Sequence, residues 1–274
     1  RLVHGEIDLM TPADFSRAGE TVSLRYRTCA RGRRDIADFV NHDRTQRHRV
    51  RAALAHAARR DEMMPRDAGF LRSCHVAAIA EFGLAASDIP GLGAGTMVAT
   101  PHGPVAVERL REGDGILTLG GDAVPLRWVA PRVRLFLGRQ APVVLRAPYF
   151  GLDHDICVTP ETRVMRSGPV VEYLFGEERV LVRADHMASS PGTARDRRRP
   201  VQAFYHLMLD DHDCVSIDRC GVETALLADV LAAEDAGQAS DLAEADLSPC
   251  LPVLHCAGAQ RLVAASIKGL RSLT

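Results

Sequence analysis

No run of apolar residues in this chain approaches the ~20 needed for a membrane-spanning helix, so nothing is expected to cross a bilayer that way. No sign of charge dominates: 34 Lys and Arg stand against 35 Asp and Glu, a formal net charge of -1. That removes any global electrostatic pull toward nucleic acid, which is not an expected partner. Aromatics are scarce, 5% with a single Trp, and they are not interleaved with the basic residues as a base-stacking surface requires. Tight cysteine spacing is also missing. Cys29, Cys74, Cys157, Cys214, Cys220, Cys250 and Cys256 are odd in number and scattered, which excludes a disulfide framework and favours reduced thiols in a cytoplasmic setting. No signal peptide is visible, although the chain starts at Arg1 and leaves a removed leader, and hence secretion, open. There is no internal repeat and no nucleophile elbow. Gly91, Gly93 and Gly95 suggest a phosphate loop, but a strand follows them, not the helix that anion binding needs. No cofactor and no metal are expected: His206, His212, Cys214 and Cys220 are spaced too widely for a zinc site. Asp153-His154-Asp155 reads as a solvated turn. The partner expected is an unidentified protein, with the oligomeric state open.

What is present suffices for one large or two small domains, since 274 residues at 46% hydrophobic content can bury a sizeable core. Residues 1–88 read as a helical region. Thr11-Pro12-Ala13-Asp14 is a helix-start signal, and Val22, Leu24 and Tyr26 alternate as in a short strand. Asp35–Val40 and Thr45–Arg60 read as two helices, the second with a stripe of Val50, Leu54 and Ala57 among Arg47, Arg49, Arg51, Arg59 and Arg60. Two readings of that basic stretch stand: a surface for nucleic acid or an acidic partner, and a solvated face over a packed stripe. Ala68–Phe82 reads as a further helix. Gly83–Gly95 is rich in Gly, Pro, Ala and Ser and reads as a linker.

From Thr96 to about Glu223 the pattern is one of short strands between turns, which predicts an all-β module over 89–225. The strands fall at Thr96–Thr100, Ile116–Leu119, Ala123–Val129, Val133–Leu137, Pro142–Arg146, Ile156–Thr159, Thr162–Met165, Val180–Val182, Ala203–Leu209 and Cys214–Ile217. Trp128 reads as a core anchor. Residues 226–274 read as a helical extension, with a helix over Val222–Ala233 and an acidic, polar stretch at Glu234–Pro249.

Four stretches carry a family resemblance. Gly95-Thr96, Ala99-Thr100-Pro101-His102-Gly103 and Val107-Glu108-Arg109-Leu110-Arg111-Glu112-Gly113-Asp114 follow in order at the start of the module. Val158-Thr159-Pro160-Glu161-Thr162-Arg163-Val164-Met165 is similar to a "V-S-P-Q-H-R-V-L" segment. Pro125-Leu126-Arg127-Trp128-Val129 is similar to a "P-V-R-W-I" strand. Phe204-Tyr205-His206-Leu207-Met208-Leu209-Asp210-Asp211-His212-Asp213-Cys214-Val215 is similar to "Y-x-H-L-L-x-D-x-H-E-V-V". Together they resemble the Hedgehog/intein (Hint) domain, in its bacterial form, and imply a pseudo-symmetric β horseshoe.

The resemblance implies self-processing chemistry. A cysteine thiol attacks the preceding carbonyl in an N-to-S acyl shift, and an imidazole protonates the leaving nitrogen. Here the position implied for that cysteine is Gly91, and the position implied for the histidine is Thr162. Glycine has no nucleophile, and a hydroxyl near neutral pH does not replace an imidazole acid. His206 and His212 remain as candidates for residual chemistry. The expected function is therefore a Hint-type module that no longer cleaves itself and serves in binding or scaffolding. The alternatives are residual autoproteolysis through Ser87, Thr96 or Cys157, and nucleic-acid or acidic-partner binding by the basic N-terminal helices.

Overall fold

The computed structural model describes residues 2–4, 7–9, 12–14, 17, 20, 22–27, 35–41, 44, 46–52, 89–136, 140–188, 190–199, 201–227, 230 and 248–271. The chain divides into two compact units, Arg1–Ile79 and Ala80–Thr274.

The first unit is not helical where it is described. Val22–Arg27, Asp35–Asn41 and Gln46–Ala52 form a three-stranded antiparallel sheet with Asp35–Asn41 in the middle. This corrects the helices expected at Asp35–Val40 and Thr45–Arg60 as far as Ala52, residues 53–60 lying outside the described residues, and the physical reason lies in the period. Arg47, Arg49 and Arg51 alternate strictly with His48, Val50 and Ala52, a repeat of two that belongs to a strand. Ala37, Phe39 and Asn41 follow the same repeat and are buried. The chain turns at Arg44, whose guanidinium donates to Glu20, as does the Asn41 side-chain amide. The remaining helix expected at Ala68–Phe82 lies outside the described residues, as does Ser87.

The second unit is β-rich, as its turn-punctuated sequence predicts. A six-stranded sheet has the order Trp128–Leu135, Val201–Met208, Leu92–Gly93, Ile156–Val158, Val143–Leu145, Thr193–Arg195. A four-stranded sheet has the order Arg179–Arg183, Arg163–Ser167, Cys220–Glu223, Cys214–Ile217. Hairpins at Met97–Val98 with Val105–Ala106, and Gly115–Leu117 with Ala123–Pro125, complete the strands. Their alternating inward residues, among them Val98, Ile116, Leu145, Val158, Val164, Val182 and Val222, merge in one apolar core. Trp128 is half-buried against a smaller cluster of Ile89, Met208, Ala225, Leu227 and Val230, which suits an anchoring role.

Three boundaries depart from the sequence reading. The glycine-rich stretch read as a linker does not stay one: Ile89 and Leu92 are buried, and Leu92–Gly93 is a central strand. Gly93 allows it, because a Cβ there would lie 2.9 Å from the Cys157 carbonyl oxygen, closer than packing permits. Val222 and Glu223 belong to a strand, not a helix, since Val222 is flanked by Val164 on one side and Val215 on the other. Of the helix expected over Val222–Ala233, Leu227 and Val230 are helical, the Val230 N–H donating to the Leu226 carbonyl; further along, the helix Cys256–Arg271 buries Ala259 and Leu262 in the core. Residues 231–247 lie outside the described residues.

Candidate functional site

The short strand Leu92–Gly93 is gripped from both sides, with Tyr205 opposite Leu92 on one neighbour and Val158 opposite Leu92 on the other. This places the peptide bond just before it, Pro90–Gly91, between two motifs read from the sequence. Pro90 and Gly91 are buried.

On one side stands His206, from the middle of Val201–Met208 and wholly buried. Its Nδ1 lies 2.6 Å from the Pro90 carbonyl oxygen. That geometry requires the tautomer with a proton on Nδ1, so the ring donates and polarises the carbonyl. Its Nε2 has no hydrogen-bond partner among the described residues. Burial pushes the imidazole down to about 4, outweighing the Pro90 bond that supports the charge; Arg134 and Arg132 push the same way as burial. His206 is thus a neutral donor at physiological pH.

On the other side stands the turn Thr159–Thr162, closed by the Thr162 N–H donating to the Thr159 carbonyl. The Gly91 N–H donates to Thr162 Oγ1 at 3.0 Å. The Thr159 N–H donates to the Gly91 carbonyl at 3.0 Å, and Thr159 Oγ1 donates to the Ile89 carbonyl at 3.3 Å. The two hydroxyls are 2.9 Å apart. Backbone polar groups around the bond are therefore fully partnered, as buried amides must be.

The turn is held in place by charge. Glu161 takes a bidentate pair from Arg134, at 3.0 and 3.1 Å, and both residues are buried. Burial alone raises the Glu161 carboxyl, but Arg134, then Arg183, more than offset this and hold it at about 2. The Arg134 guanidinium also stacks over Phe136, 4.9 Å from the ring centroid. Because Arg134 sits on the strand paired with Val201–Met208, one ion pair locks the strand pair carrying His206 to the turn carrying Thr162.

Residues 90–229 match the family model described as the Hint domain. The chain belongs to the Hint domain family. Among solved structures, a splice-inactive, GSH-linked variant of the AceL NrdHF class 3 split intein is similar at 14% identity and a TM-score of 0.33, over 49% of this chain and 97% of that one. No curated protein matches the chain.

Within this Hint domain, three of the four residues singled out from sequence come together: Gly91, Thr162 and His206 surround one peptide bond. His212 does not join them. It is buried beside Glu223, with Nε2 3.6 Å from Oε2, and its Nδ1 accepts the Cys250 N–H at 3.1 Å. Asp153 and Asp155 are engaged locally, Asp153 with Arg219 and Asp155 with the Ala147 N–H. Thr96 donates its hydroxyl to the Gly93 carbonyl at 2.7 Å. Burial pushes the Cys157 thiol up to about 12. Sequence reading passed over Arg134, which has no local signal, and Glu161, which lay inside a motif read for its threonine.

The space where a Gly91 side chain belongs is filled. A Cβ there would lie 2.8 Å from His206 Cε1, 2.9 Å from Nδ1 and 3.2 Å from Phe204 Cβ. Gly91→Ala is therefore expected to cost about 1–3 kcal/mol through overpacking. In a His206→Ala background, which vacates that space, the same change is expected to cost little. A double-mutant cycle by urea denaturation checks this, and additive costs would show that the ring and Gly91 do not compete for space.

Proposed function

We propose that this Hint domain is a retired self-processing module, one that keeps the fold and the grip on its former junction but does not cleave it. The observation that carries the proposal is the imidazole of His206 occupying the place of a side chain at Gly91. A cysteine at that position has no room unless the ring moves, and the ring is fixed by its bond to Pro90. Thr162 supports the same reading from the amide side. Its hydroxyl accepts the Gly91 N–H, so it holds the nitrogen as an amide and has no acidic proton to give to a leaving amine. What remains is a buried clamp on a peptide bond, suited to a rigid binding or scaffolding module whose partner is another protein.

Residual autoproteolysis has one observation in its favour, the polarisation of the Pro90 carbonyl by His206, which is half of what acyl transfer needs. The other half is a nucleophile. The Thr96 hydroxyl is committed to Gly93, and Cys157 is almost wholly protonated near neutral pH. Nucleic-acid binding by basic helices loses its footing, because the described part of that segment is a sheet.

Intact mass of the purified chain after long incubation with dithiothreitol or hydroxylamine tests the proposal. The expected result is an unchanged mass. Two fragments meeting at Pro90-Gly91 would overturn it and point to cleavage through a group other than a cysteine at the junction.

A further inference from the structure

The run His212-Asp213-Cys214 meets Glu223 and, from far along the chain, Cys250 at the edge of the four-stranded sheet. Cys214 opens the edge strand Cys214–Ile217 and is buried. Cys250 is exposed and precedes a segment that docks on the strand Arg179–Arg183, where Leu181 donates to Pro252 and accepts from Leu254. A carboxylate oxygen of Asp213 and the two sulfurs all lie within 4.8 Å of one another. His212 anchors the Cys250 backbone through Nδ1, and the buried carboxylate of Glu223 stands on the other side of its ring. A cavity of about 160 Å³ opens onto both cysteines, lined also by Thr118, Asp122, Met165 and Arg179.

We propose that Cys250 and Cys214 form a redox-active dithiol site that exchanges with small-molecule disulfides, Cys250 attacking and Cys214 resolving. The division of labour follows from access. Cys250 is exposed to solvent, whereas Cys214 is buried. The Cys214 thiol, within 4.8 Å, and His212 hold Cys250 down at about 5 despite partial burial. The same contact raises the Cys214 thiol well above its usual range, so it keeps its proton until Cys250 has reacted. By contrast, burial pushes Cys220 up to about 12 and leaves it inert.

The chemistry balances as thiol–disulfide exchange. The Cys250 thiolate attacks one sulfur of R–S–S–R, forming Cys250–S–S–R and releasing RS⁻. Cys214 then loses its proton to the departing thiolate and attacks the Cys250 sulfur. A Cys214–Cys250 disulfide forms and the second RS⁻ leaves. The two protein thiols are oxidised, and the small disulfide is reduced to two thiols. The sulfurs start within 4.8 Å of one another and must close to the ~2 Å of the disulfide bond. Closing the bond ties the segment leading to the helix Cys256–Arg271 covalently to the sheet edge.

The test uses the full chain and hydroxyethyl disulfide as probe, read by intact mass and by peptide mapping after denaturing alkylation. Wild type is expected to lose two hydrogen atoms, with Cys214 and Cys250 linked. Cys214→Ser is expected to trap the probe half as a stable adduct on Cys250, because no thiol resolves it. Cys250→Ser is expected to react roughly tenfold more slowly or less, and Cys220→Ser like wild type. Should Cys214→Ser fail to fold, the linked peptide in wild type decides alone. A stable adduct on wild type, a linkage between other cysteines, or no reaction would overturn the proposal. So would thiols that stay reduced under the probe but are protected from alkylation by zinc, which would make the cluster a metal site.

Discussion

Replacing Glu161 by glutamine is expected to lower the stability of the Hint domain by about 3–5 kcal/mol, a large loss for a single change of near-equal shape. The cause is the Arg134 guanidinium, which is 2% exposed and would stay buried without the charge of Glu161. A carboxylate supplies two acceptors and a full charge to the two guanidinium nitrogens at 3.0 and 3.1 Å. An amide supplies one acceptor and turns a donor toward a donor. The companion variant Arg134→Met/Glu161→Leu removes both charges together and is expected to be much less damaging, because no ion is stranded in the interior. Urea denaturation of the three proteins checks the order. If the glutamine variant and wild type unfold together, the pair does not hold the Thr159–Thr162 turn. Since that turn contributes the hydroxyl that binds Gly91, the glutamine variant should also speed amide exchange at Gly91.

Acid sensitivity beginning near neutrality is the second large effect. His206 is held at about 4 in the folded chain, against an ordinary value of 6.5. Between these values the unfolded chain binds the extra proton and the folded chain does not. The stability is thus fully present above about 6.5 and falls as pH drops toward about 4, by about 3 kcal/mol in all. Burial depresses His186 too, so the contribution of His206 is read from the difference between wild type and His206→Gln. The variant should lose most of the slope in that window. An unchanged slope would mean that His206 ionises freely in the folded state, which its bond to Pro90 would then have to survive. Glu161 acts lower on the scale. Its folded value of about 2 lies under an ordinary 4.5, so its contribution disappears only as pH falls from about 4.5 toward 2.

Much of the β module was legible in the chain because turn chemistry and period-two runs are local. Cys214–Ile217 occurs as read, and Val143–Leu145, Ile156–Val158 and Val201–Met208 sit inside or beside their expected spans. The failures share a cause. In the basic stretch Gln46–Ala52 the repeat of two spans only seven residues and carries a single large apolar side chain, Val50, too little to stand against the helical spacing read over Thr45–Arg60; Asp35–Asn41 supplies the partner that a seven-residue strand needs. Cys220–Glu223 was read as loop and helix start, since its four buried residues show no alternation; a strand covered on both faces has none to show.

The sequence by itself determined that the chain carries a Hint framework and that its junction has glycine and threonine where the family resemblance implies cysteine and histidine. Those are statements about residue type and order, and no folding is needed to make them. Only the tertiary structure decided what fills the places left behind. His206 lies on a strand far along the chain, yet its ring enters the volume beside Gly91 because Val201–Met208 pairs with Leu92–Gly93. Arg134 and Glu161 find each other across two strands, and Cys250 returns to Cys214 from beyond the acidic stretch. Such contacts depend on strand register and on close packing between segments distant in the chain, neither of which leaves a mark at the positions that eventually touch.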